Sequence, residues 1–200
     1  MVGILLGMRV LHRDKTNGSM AAICAQPVRR LEYLLAKCIG VWIIAYGLTF
    51  ILHVTVYLIM LFNTGGRIQF FLPASLLISV NVLFAVVSVM LLSQMVPDIA
   101  AALLSAGIWL VGYLSDTIFM ASQTEMVKSV LEQMQRGGEP VALWRRLWPQ
   151  MTSLQFNGVA LIKEVPFHGP GPVHPFANVS VYCVAAFMLL WWHFSRAEIR

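Results

Sequence analysis

The chain has 200 residues, 58% of them hydrophobic and only 12% charged, with a mean hydropathy of +0.75. A water-soluble domain carries roughly 25% charged residues, so this composition excludes an ordinary soluble enzyme or binding module. The net charge of +5 is read as loop charge that orients the chain in a bilayer and not as a nucleic-acid footprint.

Residues 1–11 are apolar but too short to span a bilayer, about 16 Å at 1.5 Å per residue. Their positive charges follow the apolar run, which argues against a signal peptide. Gly3 and Gly7 have the spacing used where helices approach closely. We read the segment as the cytoplasmic end of a spanning helix, so the sequence is expected to be N-terminally truncated or to carry a misassigned start.

Residues 12–37 form a polar, basic break, read as a cytoplasmic elbow. Met20, Ile23 and Cys24 fall on one helical face. Asn17 or Ser19 can cap its start, and Pro27 ends it. Arg29, Arg30 and Lys37 then precede a long apolar run, the arrangement that places basic loops in the cytoplasm. A basic helix lying on anionic lipid is the plainer alternative.

This elbow resembles that of ABC transporter permeases of the second export type. Their pattern has an acid, a Gly-Thr or Gly-Ser four residues later, then Pro-x-x-Arg-x-Glu-x-x-x-x-Lys. Here Asp14, Gly18, Ser19, Met20, Ile23, Pro27, Arg30, Glu32 and Lys37 match without a gap. The departures are Ala21, where an acid is frequent, and Ala36, where a Gly precedes the Lys. The resemblance implies that residues 17–26 are a coupling helix seated on a separate ATP-binding subunit. It makes Asp14, Gly18, Met20, Ile23, Pro27, Arg30 and Glu32 the partner-coupling residues.

Four further runs are long enough to cross a core of about 30 Å. Residues 38–62, 70–96 and 176–195 contain no Asp, Glu, Lys or Arg, and 99–121 contains only Asp116. His53 in the first run is either a proton or metal site or, more plainly, a partner to a neighbouring helix. In the second, Asn81 and Ser88 can bond across helices. Pro97 and Asp98 form the next turn, with Pro97 suited to the first helical position and Asp98 to the positive helix end. Asp116 is expected near the outer interface, either as a simple interfacial acid or as a gating or substrate contact. His53 and Asp116 are therefore the candidate pathway residues. Trp191 and Trp192 serve as interface anchors near the inner end of the last run.

Residues 122–175 are expected to form outer amphipathic helices. One follows the capping box Ser122-x-x-Glu125 with Val127, Val130, Leu131 and Met134. A second begins at Pro140, with Leu143, Trp144, Leu147 and Trp148 opposite Arg145 and Arg146. His168 and His174, flanking a Gly-Pro loop, lack a nearby carboxylate or thiolate and are weak metal ligands. Cys24, Cys38 and Cys183 form no CxxC pair and read as packed apolar residues.

The expected fold is thus all-α and polytopic: one permease domain over residues 1–200, with about four complete transmembrane helices, a partial N-terminal one and outer amphipathic helices. There is no GxxxxGK[ST] phosphate loop, so ATP would be bound by a partner, and no cofactor is expected in this chain. The resemblance implies a permease subunit of an ATP-driven exporter in the cell membrane, without enzyme activity of its own. Its partners would be an ABC ATP-binding subunit, a second or related permease and the lipid bilayer, with no nucleic acid. A non-transporting membrane scaffold or assembly factor, and a membrane-embedded metal enzyme using His53, His168, His174 or Asp116, are the alternatives.

Overall fold

A computed structural model of the chain describes residues 2–10, 29–64, 70–122, 148–166 and 173–196. They form six helices: α1 (Val2–Gly7), α2 (Arg30–Thr64), α3 (Phe71–Leu92), α4 (Asp98–Ser122), α5 (Met151–Ile162) and α6 (Pro175–Arg196). There is no strand among the described residues. Helices α2, α3, α4 and α6 are long and apolar enough to span a membrane, in agreement with the four charge-poor runs.

The first span is longer than its apolar run. Helix α2 covers 35 residues, about 52 Å at 1.5 Å per residue, against a hydrocarbon core of about 30 Å. The excess lies at its beginning, where Arg30, Glu32 and Lys37 precede the charge-free stretch. The second half of the elbow is therefore continuous with the span. The Glu32 carboxylate accepts a bond from the Arg29 backbone N–H at 3.2 Å, one half of a capping box that satisfies a free donor at the helix start.

Helix α3 is the centre of the bundle and packs against all five others. It can do so because it carries no charge and many small or β-branched residues. Pro73 stands in its first turn, where a missing N–H breaks no helical bond. The main core joins Phe84, Val86, Val87 and Met90 of α3 to Leu34 and Cys38 of α2, Leu154 of α5, and Val179, Cys183 and Phe194 of α6. Cys38 and Cys183 are free and buried, and behave as the small apolar residues that the sequence suggests.

A second cluster seats α1. Ile4 packs with Ala85 and Val89 of α3 and Ala101 of α4. Gly3 and Gly7 face α3 so closely that a Cβ on Gly3 would lie 3.2 Å from Val86 Cγ2, and one on Gly7 2.6 Å from Val89 Cγ1. The small-residue spacing therefore marks a real helix contact.

The α3–α4 turn is tight. Ser93 closes α3 by donating its N–H to Val89 O, and Pro97 O accepts from Ala101 N at 2.9 Å. Pro97 thus stands one position before the helix, and Asp98 takes the first turn, where the helix dipole favours an acid. This turn, Arg30 and Arg196 mark what we call the elbow end of the bundle.

Large apolar side chains remain exposed on the outside of the spans, including Ile51 and Leu52 of α2 (62% each), Leu103 of α4 (69%) and Val181 of α6 (66%). In water such a surface would aggregate; in a bilayer it is the lipid-facing side.

Helix α5 was not anticipated from the sequence. The helices expected on residues 123–147 lie outside the described residues. Helix α5 follows them, and it enters the bundle. Its first turn lies beside Asn81, ten residues and about 15 Å below the start of α3. Its middle passes Ala74 and Ile78 at Gly158, and its last turn reaches Phe70 at the end opposite the elbow. A left-handed Glu164 (φ 54°) terminates it, with Val165 N bonding back to Ala160 O at 3.0 Å, a turn in which glycine is the usual residue.

Candidate functional site

Of the expected coupling residues, Asp14, Gly18, Met20, Ile23 and Pro27 lie outside the described residues. Arg30 and Glu32 are described. Arg30 Nη1 donates to the Ser195 backbone oxygen at 2.9 Å, which places a cation on the last carbonyls of α6, the negative end of that helix. One turn further, the Tyr33 and Phe194 rings stack at 6.0 Å, and both side chains are buried. The Lys37 ammonium lies 5.7 Å above the Tyr33 ring, and the Arg196 guanidinium 4.3 Å from the Trp192 ring. The first turn of α2 is therefore fastened to the last turn of α6.

Exposed charge-assisted contacts contribute little. Replacing Arg30 by Met keeps the apolar stem but loses the bond to Ser195, and should lower stability by less than about 1 kcal/mol. Replacing Tyr33 by Ala removes a buried ring and should cost about 3 kcal/mol. Equilibrium unfolding of both variants in mixed micelles would check this order; equal losses would contradict it.

The second cluster of polar side chains surrounds the first turn of α5. Gln150 occupies the capping position but makes no side-chain cap bond. Other helices supply the missing acceptors. Asp116 of α4 accepts from Ser153 N at 2.8 Å, and Asn178 of α6 accepts from Gln150 N at 3.0 Å. Asn81 of α3 donates its amide to Met151 O at 2.7 Å. Three spans thus hold one helix start. Asp116 is only 4% exposed, as are Asn81 and Gln150; the acid expected near the outer interface is enclosed by protein. A carboxylate at a helix N-terminus is favourable because free N–H groups and the dipole point at it.

Among the described residues, four oxygens at this turn have no hydrogen-bond partner: Asn81 Oδ1, Gln150 Oε1, Thr152 Oγ1 and Ser153 Oγ. A buried polar atom left dry costs about 1–3 kcal/mol.

His53 is held elsewhere. Its Nδ1 lies 3.2 Å from Ser75 Oγ on α3, and its ring meets Phe71 edge-on at 6.4 Å. It links α2 to α3 and is given different partners from Asp116. His174 caps α6 by accepting from Phe176 N at 3.3 Å, while its Nε2 lies 3.1 Å from the Asn157 amide. His168 lies outside the described residues. Among the described residues no three His, Cys, Asp or Glu side chains converge as metal ligands.

Sequence reasoning found Asn81 and Asp116 but missed Gln150, Ser153 and Asn178. The available signal was Met151, Leu154 and Gly158 at helical spacing after Pro149, the face that α5 buries.

No curated protein and no solved structure matches the chain. A family model described as ABC-2 family transporter protein matches residues 1–199, nearly the whole length, and agrees with the resemblance of the elbow and with the spans observed. The chain belongs to the ABC-2 transporter family, as a multi-pass membrane permease subunit of an ABC transporter.

Proposed function

We propose that this chain is the permease half of an ATP-driven exporter, and that ATP hydrolysis on a separate subunit reaches the spans through the elbow. The observation that carries this reading is the continuity of α2. The elbow's second half is the start of a 35-residue helix, joined at its first turns to the end of α6 by Arg30 and Tyr33. A push on residues 17–26 would act on a stiff rod already attached to a second span.

The charge distribution supports a cytoplasmic elbow. Arg29, Arg30, Lys37 and Arg196 gather at one end of the bundle, and an excess of Lys and Arg marks cytoplasmic loops. Crossing in order through α2, α3, α4 and α6 returns the chain to that side. The pathway would lie between two permease copies or related subunits, with His53 and Asp116 on the spans that line or support it.

Ile23→Asp tests the coupling assignment. A charge on the apolar face of residues 17–26 should abolish co-purification of the ATP-binding subunit, and its ATPase activity, while leaving thermal unfolding of the spans within about 0.5 kcal/mol, as for a surface change. The measurement is a detergent pull-down of the tagged chain from its native membranes, with ATPase activity assayed in the eluate. Full retention of partner and transport in the variant would overturn the assignment.

A further inference from the structure

We propose that the first turn of α5 forms a binding site for small hydrogen-bond donors, water foremost, framed by Asn81 Oδ1, Gln150 Oε1, Thr152 Oγ1 and Ser153 Oγ. The donor character follows from what is already used. The backbone N–H groups of Gln150 and Ser153 are taken by Asn178 and Asp116. The amide nitrogen of Asn81 is fixed 2.7 Å from Met151 O, which holds its carbonyl oxygen beside the same turn. Four of the polar atoms left at this turn are oxygens, while the Trp148 indole N–H, the donor beside them, stands against Gly112 of α4. Two of the oxygens are amide carbonyls that can only accept, and each hydroxyl can accept as well as donate.

The two hydroxyls are orphaned for a structural reason. Elsewhere in the bundle Thr49, Thr55, Thr117 and Ser180 satisfy themselves by donating to the carbonyl four residues earlier. Thr152 and Ser153 stand in the first turn, so the residues three and four places before them precede the helix. Neither hydroxyl makes such a bond: the Gln150 carbonyl, three residues before Ser153, accepts from Leu154 N at 3.1 Å. All four side chains are at most 4% exposed, so bulk solvent does not serve them, and a bound water making about three hydrogen bonds is the ordinary solution to such a cluster.

Two buried methionines make the site testable. Met151 belongs to the turn itself, and Met90 lies in the apolar core near the elbow end; both are at most 1% exposed. X-ray radiolysis in lipid nanodiscs generates hydroxyl radical from water where it stands, and methionine sulfur reports it as sulfoxide. Met151 should oxidise at least tenfold faster than Met90. The paired change Gln150→Leu with Thr152→Val removes two of the oxygens and none of the three bonds from Asn81, Asp116 and Asn178. It should bring Met151 close to the Met90 rate while Met90 stays protected. Methylammonium chloride separates the occupants: protection of Met151 by it would extend the site to ammonium donors, and no protection would restrict it to water, either result supporting the site. Met151 as inert as Met90 in the unaltered chain, or unchanged in the paired variant, would overturn it.

Discussion

Replacing Asp116 by leucine is expected to loosen α5 and to lower stability by about 2–3 kcal/mol. The substitution leaves the Ser153 N–H buried with no acceptor, and an unmet donor costs about 1–3 kcal/mol beyond the bond itself. Two effects oppose this. Interhelical bonds in membranes average only about 0.6 kcal/mol, because unfolded helices also find partners there. Leucine also removes the cost of holding a carboxylate away from water. Neither prevails here, because the donor is a backbone N–H at a helix start, and Gln150 offers no side-chain cap of its own. Asp116→Asn separates charge from bonding: it retains an acceptor of the same shape, and should cost only about 1 kcal/mol. Unfolding by SDS titration gives the order of the two variants, and hydrogen exchange gives the location. Amides of residues 150–154 should lose protection in the leucine variant while those of α2 keep theirs. A leucine variant as stable as the parent, with unchanged exchange at those amides, would show that Asp116 does not hold α5.

The contrast between the spans and α5 explains how much could be read from the sequence. The spans were legible because the bilayer imposes a rule on each segment alone: about 20 apolar residues without charge. That α1 packs closely on another helix was also legible, since Gly3 and Gly7 carry their spacing within one turn of helix; that the partner is α3 was not. Helix α5 obeys no such local rule. Its start has Gln150 where Ser, Thr, Asn or Asp is preferred, and its acceptors come from α4 and α6, with Asp116 lying 37 residues before the N–H it accepts. A helix capped by other helices leaves no capping signature in its own sequence. The same reasoning applies to the surroundings of Asp116, for which the sequence left an interfacial acid and a gating or substrate contact both open. Its burial depends on a segment that returns into the bundle, which a count of hydropathic runs does not foresee. The join between Arg30 and Ser195 spans 165 residues and is likewise a product of the fold.

Enlarging Gly7 should detach α1 from the bundle. A Cβ at Gly7 would lie 2.6 Å from Val89 Cγ1, so α1 or Val89 must move. Val89 is fully buried, and a β-branched side chain in a helix has one strongly preferred χ1, so rotation offers little relief. Overpacking of this kind costs about 1–3 kcal/mol, against a gain of up to about 1 kcal/mol from replacing glycine by alanine in a helix. The clash therefore prevails: Gly7→Ala should destabilise by about 1 kcal/mol and Gly7→Leu by more. Gly47 provides the control, because no described residue lies within 4 Å of a Cβ there, and Gly47→Ala should be neutral or stabilising. Val89→Ala removes the atom in the way, so the pair Gly7→Ala with Val89→Ala should be more stable than the sum of the single losses predicts, a coupling expected for residues in contact. Thermal unfolding in lipid nanodiscs would measure all five variants. If Gly7→Ala behaved as Gly47→Ala does, or if the double change were merely additive, the close approach of α1 and α3 would not be what holds the amino-terminal helix in place.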